Sequence, residues 1–173
     1  MKPIKSFREY VEKLEESGEI VKISKEVDWN LEMGAITRRA YDLPAPAPLF
    51  ENVKGCQKGF RVLGAPVGLS PDKEHPFKRV ALSLGLPVDT PAPKLVEEWS
   101  KVPDVTPIPP HTVEDGPCKQ NKLFGEEIDL TRLPIPWIHY GDGGRYINTY
   151  GIFIARTPDG SWVNWAISRA MLD

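Results

Sequence analysis

Prolines constrain the fold of this chain more than any other residue type. The 173-residue sequence contains 18 of them, about twice the usual share of roughly 5%, and five lie between Pro103 and Pro117. Proline lacks a backbone N–H and disfavours helix at the residue before it, so a dense cluster without an apolar period is typical of an extended linker. The sequence therefore predicts a linker at residues 103–120 between two structural units.

The first unit, residues 1–102, alternates helical and strand-like segments. "SFREYVEKLEESGE" has the apolar spacing of an amphipathic helix, with Ser6 as its N-cap and Gly18 just beyond its end. "EIVKI", "LFENV" and "GFRVLG" have strand-like patterns, and a glycine-containing turn separates the last two. These segments predict a small α/β domain.

Further helices are predicted in this unit from the residues that begin them. Asn30 is the expected N-cap of "LEMGAITRRAYD", Pro76 suits the first turn of "PFKRVALSLGL", and Thr90 suits the N-cap of "PAPKLVEEWSKV". The residues of the second helix that we expect to face the core are Leu31, Ala35 and Ile36.

The second unit, residues 121–173, is predicted to contain a β-hairpin. "YINTYGIFIAR" and "SWVNWAISRAM" are strand-like runs joined by "TPDG", in which Pro158 and Asp159 suit the centre of a type I turn and Gly160 suits the left-handed residue after it. A lone hairpin is marginally stable in water. The unit is therefore expected to be the beginning of a larger β structure.

One face of the second strand of this hairpin is small and polar. Alternation along an ideal strand divides the residues into one set facing each way, Asn164, Ala166 and Ser168 against Trp165, Ile167 and Arg169. Small side chains leave room for a ligand against the strand, and equally for close packing of another backbone. Periodicity alone favours packing.

Composition excludes several classes of protein. The net charge is −2 with no basic block, so a nucleic-acid partner is not expected. Cys56 and Cys118 are far apart, which indicates neither a disulfide framework nor a zinc site and favours a reducing compartment. No apolar run approaches the roughly 20 residues that span a bilayer. A soluble cytoplasmic protein is expected.

The three histidines, His75, His111 and His139, stand alone in or near proline-rich loops. No second histidine, cysteine or HExxH pattern accompanies any of them. A metal site needs several convergent ligands, so these residues are interpreted as surface or capping histidines.

The hairpin segment "DGGRYINTYGIFIARTPDGSWVNWAISRAM" resembles the UbiD family of decarboxylases, especially its ferulic acid decarboxylase branch. The resemblance extends over essentially the whole chain. Other segments that are similar to the family occur in the same order: "SFREYVEKLEESGEIVKI", "NLEMGAITRRA", "PIPPHTVEDGPCKQN" and "IDLTRLPIPWIHYGDGG".

The resemblance implies a fold and a chemistry. Members of the family have an N-terminal α/β domain, then a split β-barrel like that of flavin reductases, and a C-terminal domain that supports oligomers. They bind prenylated FMN with a divalent ion, usually manganese, and a monovalent ion, usually potassium. They remove CO₂ reversibly from aromatic or α,β-unsaturated carboxylic acids. The chain is thus expected to be an α/β domain followed by the start of the barrel.

The resemblance also implies roles for individual residues. Asn164 would bind manganese through its side-chain amide, a hard neutral donor, and Trp165 would bind potassium through its backbone carbonyl. Arg169 would be the catalytic residue that holds the substrate carboxylate by two hydrogen bonds. The residues that would line the cofactor are Asn164, Trp165, Ala166, Ile167, Ser168 and Arg169. Thr149 would face the substrate region.

The family's other metal ligands and its catalytic glutamates match nothing in this chain. We therefore expect an N-terminal portion that works with the remainder of a decarboxylase, on the same or a second chain, in a homo-oligomer. The chain alone is expected to be inactive. The alternatives are a non-catalytic assembly module and an ordinary flavin-binding split-barrel oxidoreductase.

The positions of Asn164 and Arg169 give one further expectation about backbone geometry. They are separated by an odd number of residues, so a regular strand sends their side chains to opposite faces. If both reach one cofactor, the strand from Trp162 to Met171 should bend or bulge between them.

Overall fold

The strands form two separate sheets in the computed structural model, which describes residues 4–109 and 111–172. In the first sheet the central strand pairs parallel with one neighbour and antiparallel with the other. Its strands, in spatial order, are β1 (Ile20–Ile23), β2 (Ala47–Phe50) and β3 (Val62–Leu63). The second sheet is an antiparallel hairpin of β4 (Tyr146–Arg156) and β5 (Val163–Met171).

Helices occur only before residue 133 in the described part of the chain, and their positions confirm the predicted α/β character of the first unit. The α-helices are α1 (Phe7–Glu16), α2 (Glu32–Asp42), α3 (Lys78–Ser83) and α4 (Ala92–Ser100). Short 3-10 helices follow at Val102–Asp104, Pro117–Lys119, Gly125–Glu127 and Leu130–Arg132. None of the helices in the described ranges has the length and apolar character of a membrane span.

The ends of α1 confirm the sequence prediction. The side chain of Ser6 accepts a hydrogen bond from the backbone N–H of Glu9 at 3.1 Å, which satisfies one of the unpaired donors of the first turn. Gly18 has a φ of +74°, the left-handed conformation that glycine adopts after a helix end.

The beginning of α2 differs from the prediction because a distant segment fixes it. Leu31, with a φ of +65°, occupies the N-cap position in place of Asn30, and no side chain caps the helix. The backbone N–H of Leu31 donates to the carbonyl of Trp137 at 2.9 Å, and Trp137 donates to Trp29 at 3.0 Å. This pairing joins residues about a hundred positions apart, so local propensity could not reveal it.

The inward face of α2 also differs from the prediction. Met33, Gly34 and Ala40 are its buried residues, whereas Ala35 is exposed. Ile36 is half-buried and packs against the core, as expected. Packing sets the inward face, because Met33 joins a core cluster with Phe50 and Gly34 lies against the backbone of Ile138.

Two further helix starts are corrected by one or two residues. Pro76 precedes the N-cap residue Phe77 of α3, so it lies outside the first turn. Pro91 is the N-cap residue of α4, because the Thr90 hydroxyl donates instead to the carbonyl of Pro87 at 2.6 Å. A hydroxyl that bonds backwards into a turn does not cap the helix after it.

A buried ion pair joins the helices to the first sheet. Glu19, at the start of β1, is 2% exposed and Arg79, in α3, is 0% exposed, and Nε of Arg79 donates to Oε2 of Glu19 at 2.8 Å. The other carboxylate oxygen accepts the hydroxyl of Ser70 at 2.7 Å. The guanidinium also donates to the carbonyls of Ala65, at 3.1 Å, and Ala45. The pair is therefore hydrogen-bonded on both sides, as a buried charge requires.

Tyr10 of α1 completes this network. Its hydroxyl donates to the carbonyl of Pro66 at 2.7 Å and lies 3.1 Å from the carbonyl of Arg79. Burial raises the pKa of Tyr10 to about 12, so the residue is a neutral donor throughout the physiological range. The apolar residues packed around it are Leu14 and Leu82, with Ile4, Ile20, Leu63 and Val88 at the margin.

The division of the chain into units at 103–120 stays a prediction. The described residues of that range contain short 3-10 helices but no α-helix or strand, and Pro110 lies outside the described residues. The segments on either side meet elsewhere, because Arg145 stacks over the ring of Trp29 with its Cζ 4.2 Å from the ring centroid. Arg145 also donates to the carbonyls of Ile135, at 2.7 Å, and Leu133, at 3.1 Å.

We predict that Glu19→Gln destabilises the 173-residue chain by about 3–5 kcal/mol, because Arg79 would remain buried without a compensating charge. Urea denaturation measures the loss. The matched control is Glu16→Gln in an exposed pair with Lys13, for which we expect a change below about 1 kcal/mol. Equal effects of the two substitutions would contradict the role of the buried pair.

We predict that Gly34→Ala destabilises the chain by about 1–3 kcal/mol, although alanine is the better helix former by about 1 kcal/mol. A Cβ at Gly34 would overlap the carbonyl oxygen of Ile138 and lie 2.9 Å from its Cα, so α2 would have to move away from that segment. Gly141→Ala is the control, since a Cβ there meets nothing within 4 Å. Thermal or urea unfolding compares the two, and a stabilised Gly34 variant would refute the close approach.

Candidate functional site

The hairpin turn has the geometry predicted from "TPDG". Gly160 donates its N–H to the carbonyl of Thr157 at 2.8 Å and has a φ of +73°. Thr157 in turn donates to the carbonyl of Trp162 at 3.0 Å, which closes the ends of the strands. The Asp159 carboxylate accepts the N–H of Ser161 at 3.2 Å. The turn sets the register of the whole hairpin.

Cross-strand pairing assigns the candidate residues of β5 to two faces. Residues directly opposite each other in an antiparallel pair share a face. The first face contains the pairs Asn164 with Ala155, Ala166 with Phe153 and Ser168 with Gly151, and the second contains Trp165 with Ile154 and Ile167 with Ile152. The first face is thus mostly small. The second is apolar at these pairs and carries Arg156, opposite Val163, and Arg169 toward its ends, which confirms the division expected from alternation.

The apolar face is largely uncovered by the described residues. Ile152, Ile154, Trp165 and Ile167 are 58%, 60%, 67% and 66% exposed. A continuous apolar patch of this kind marks a surface that another element covers. On the opposite face Asn164 and Ala166 are half-buried.

The irregularity expected in β5 lies in β4 instead. β5 is continuous from Val163 to Met171, and its register with β4 is regular up to the pair Ser168–Gly151. From there to the pair Met171–Tyr146, β4 uses five residue steps where β5 uses three, so β4 contains two extra residues. Extra residues in one strand bend it and re-aim neighbouring side chains. The bulged part of β4 lies opposite Arg169.

Asn164 and Arg169 are therefore not brought together by the hairpin. They are five residues apart on a continuous strand, which corresponds to about 16 Å at 3.3 Å per residue, and alternation directs them to opposite faces. A ligand that lies against one face of β5 would therefore meet only one of these two side chains.

Arg169 has defined surroundings at the bulge. Its Nη1 lies 3.3 Å from Oδ1 of Asp142, and its Cζ lies 4.4 Å from the ring centroid of Tyr146. The side chain is 53% exposed, so much of the guanidinium stays accessible. An arginine stacked on an aromatic ring and bound by one carboxylate retains further donors for an anion.

Asp142 is held on the loop before β4 by contacts with His139. The backbone N–H of His139 donates to Oδ2 of Asp142 at 3.2 Å, and Nδ1 of the imidazole lies 3.2 Å from the same oxygen. Partial burial opposes ionisation of Asp142, but the hydrogen bonds from His139 and Arg169 outweigh it and hold the pKa of the carboxyl below its usual range. Asp142 is thus a carboxylate at neutral pH. Sequence reasoning missed this residue, because a carboxylate on a glycine-rich loop gives no local signal of a partner 27 residues away.

Two of the three histidines contact a nearby aspartate in the structure. His139 is a neighbour of Asp142 on an exposed loop, and His75 contacts Asp72 at 3.0 Å. Within the described ranges no three His, Cys, Asp or Glu side chains cluster as a metal site would require.

Thr149 lies in the bulged part of β4, opposite Arg169. It lines a cleft of about 590 Å³ between α2, β3 and the beginning of β4, together with His139, Tyr146 and Ile147. Neither Asn164 nor Arg169 lines this cleft. Tyr146 thus borders both this cleft and the guanidinium of Arg169.

The side chains present fit part of a flavin and metal site. Asn164 offers one neutral oxygen donor on a half-buried strand face, as a hard divalent ion accepts. Its neighbours on that face include Gly151, Ala155 and Ala166, so a flat group could approach the strand closely. One amide does not close a coordination shell, and the other ligands would have to come from outside the described residues.

Comparison with known proteins gives the class. Residues 11–99 match the family model of the 3-octaprenyl-4-hydroxybenzoate carboxy-lyase N-terminal domain, and residues 111–173 match that of the Rift-related domain of the same carboxy-lyase. These two matches include the hairpin and most of the first unit. The chain belongs to the UbiD family.

Relatives in the family are longer than this chain. It is 46% identical over 166 residues to the pyrrole-2-carboxylic acid decarboxylase of Pseudomonas aeruginosa, which covers 96% of this chain and 34% of the relative. It is 40% identical over 175 residues to ferulic acid decarboxylase 1 of Saccharomyces cerevisiae, covering 99% and 35%. The chain thus spans about a third of the length of the curated relatives it matches.

Solved structures have the same fold over nearly the whole chain. The vanillic acid decarboxylase of Sedimentibacter hydroxybenzoicus in open form has a TM-score of 0.82 and 29% identity, over 99% of this chain and 36% of that chain. An evolved dimeric form of a UbiD-class enzyme from Pelotomaculum thermopropionicum, in complex with prFMN, has a TM-score of 0.70 and 32% identity, over 95% and 35%.

Proposed function

We propose that this chain is the N-terminal part of a reversible, prenylated-FMN-dependent decarboxylase of aromatic or α,β-unsaturated carboxylic acids of the ferulate or cinnamate type. The observation that carries the proposal is the match of both family models, together with an accessible arginine on the hairpin strand of the second. Relatives at 46% and 40% identity are decarboxylases of a pyrrole-2-carboxylic acid and of ferulic acid.

Arg169 is the proposed catalytic residue. Its planar guanidinium can hold a carboxylate through two parallel hydrogen bonds. The contact with Asp142 uses Nη1, and the stacking on Tyr146 uses one face of the guanidinium. The substrate carboxylate would meet the remaining N–H groups, and the arginine would balance its charge until CO₂ leaves.

The cofactor would lie along β5. Asn164 would ligate manganese through its amide oxygen, Trp165 would ligate potassium through its carbonyl, and the lining residues would be Ala166, Ile167 and Ser168. A UbiD-class neighbour contains prFMN, which supports the flavin. Asn164 and Arg169 lie about 16 Å apart on opposite faces of β5, so one cofactor site would include both only if the rest of the enzyme re-aims one of the two side chains. When bound, the flavin supplies the electron sink for decarboxylation.

The exposed apolar face of the hairpin supports a split β-barrel that the rest of such an enzyme would complete. Ile152, Ile154, Trp165 and Ile167 would be covered by its further strands. The same remainder, on the same or a second chain, would supply the other metal ligands and the catalytic acids. We place the boundary at 103–120, between units 1–102 and 121–173, and propose a homo-oligomer. We propose a reducing cytoplasm as its location, because Cys56 and Cys118 lack the spacing of a disulfide framework.

We predict that the purified 173-residue chain, supplied with prenylated FMN, manganese and potassium, binds flavin poorly and does not decarboxylate cinnamic, ferulic or pyrrole-2-carboxylic acid. One amide ligand leaves the metal without a coordination shell. Flavin absorbance after gel filtration and CO₂ release measure the two properties. A longer protein that carries this segment and the remaining two-thirds should show both. If that protein binds flavin but only transfers hydride, the protein is a flavin-binding oxidoreductase and not a decarboxylase. If it neither binds flavin nor decarboxylates, it is a non-catalytic assembly module.

We predict that Arg169→Lys in that longer protein lowers turnover by on the order of 10², since the lysine keeps the charge but loses the planar fork. Flavin absorbance should be retained. Arg156→Lys, on the partner strand of the same hairpin, is the matched control and should leave turnover within about twofold. Near-normal turnover of the Arg169 variant would remove Arg169 from the catalytic role. Loss of flavin would assign it to cofactor binding.

A further inference from the structure

The loop before β4 is built against the end of the strand that carries Arg169. Gly143 and Gly144 lie beside the side chain of Met171, so closely that a Cβ on either would be 3.3 or 3.2 Å from its sulfur. The N–H of Leu172 donates to the carbonyl of Arg145 at 2.8 Å, which closes the loop onto the strand. Asp142 stands in this loop and reaches Arg169 across it.

Contacts with His139 orient Asp142 independently of its contact with Arg169. Its N–H donates to the carbonyl of His139 at 3.0 Å, and its Oδ2 accepts the N–H of His139. Its side chain is 16% exposed, whereas that of Arg169 is 53% exposed. The Asp142 carboxylate is therefore held in one position, whereas the longer Arg169 side chain depends on its contacts to adopt one conformation.

The bulge in β4 places Tyr146 as the second residue that contacts the guanidinium of Arg169. Tyr146 is paired with Met171, two residues beyond Arg169 on the same face, and its ring lies under the guanidinium. Asp142 contacts the guanidinium at Nη1, and the ring of Tyr146 contacts its face. These two contacts restrict both the position and the rotation of the group, and they leave other N–H groups for a ligand.

We infer that Asp142 is a positioning residue for Arg169, which fixes the guanidinium in the orientation that receives the substrate carboxylate. The inference rests on the proposed decarboxylase function. Asp142 acts through Arg169 and does not touch the substrate. Its role is geometric, because a carboxylate beside an arginine reduces the net positive charge that a substrate meets.

A merely structural role predicts a different outcome. The contact is a single hydrogen bond of 3.3 Å to a half-exposed side chain, and pairs of this kind add little to stability. Removing the charge of Asp142 should therefore leave folding nearly unchanged. The effect of a positioning residue should appear in the rate and should depend on Arg169.

The experiment uses the longer protein that carries this segment, loaded with prenylated FMN. We expect Asp142→Asn to lower kcat at least tenfold, and by on the order of 10² if the guanidinium moves by about 1 Å, with flavin absorbance and melting temperature unchanged. Asp142→Glu should recover part of the rate. Asp89→Asn, an exposed residue of the first unit, is the matched control and should have no effect.

A double-mutant cycle separates positioning from structure. In an Arg169→Lys background, Asp142→Asn should cause no further loss, because the group it orients is gone. An equal loss in both backgrounds overturns the inference. A fall in melting temperature or loss of flavin in Asp142→Asn overturns it as well, since either assigns Asp142 to the scaffold.

A spectroscopic measurement distinguishes failure of this inference from failure of the proposed function. A wild-type protein that decarboxylates none of the test acids refutes the function alone. In that protein the side-chain N–H signal of ¹⁵N-labelled Arg169 should still shift in Asp142→Asn and stay unchanged in Asp89→Asn. An Arg169 signal that does not respond to Asp142→Asn overturns the positioning role.

Discussion

The buried ion pair between Glu19 and Arg79 is the contact on which the first unit depends. Charges leave water at a cost of several kcal/mol each, and here each atom that carries charge has a partner. Those partners come from the start of β1, from α3 and from the carbonyls at Ala45 and Ala65. The pair therefore fixes where one helix and three backbone segments meet, and apolar packing around Tyr10 and Leu14 fills the space beside it.

The second unit is tied to the first through backbone pairing and one stacked arginine. Trp137 pairs with Trp29 and Leu31, and Arg145 lies over Trp29 while its donors hold two carbonyls. The beginning of β4 is thus anchored to α2. The same anchoring brings the loop with Asp142 to the end of β5, so the arginine proposed as catalytic is supported by a segment that belongs to neither strand of its hairpin. Gly34 permits this arrangement, since its missing side chain lets α2 approach Ile138.

The hairpin has a well-defined backbone geometry, but the described residues leave much of one of its faces uncovered. Its turn, register and bulge are defined, yet its apolar face is more than half exposed at four large side chains. This contrast fits a chain that spans about a third of its relatives' length. The decarboxylation proposed for this protein requires the apolar face of the hairpin to be covered. Electrostatic interactions in a flavin site are stronger where water is excluded.

The sequence by itself determined the elements that arise from local physics. Ser6 and Gly18 set the ends of α1, "TPDG" set the hairpin, and strand alternation assigned Asn164 and Ile167 to opposite faces, since capping, turn conformation and side-chain period depend on a few neighbouring residues. The resemblance to the UbiD family was also readable in the residues. Only the tertiary structure decided the start of α2, the Glu19–Arg79 pair, the bulge in β4 and the contact of Asp142 with Arg169. Each of these joins segments distant in the chain, and a pairing between distant segments depends on how whole elements pack, which no local pattern records.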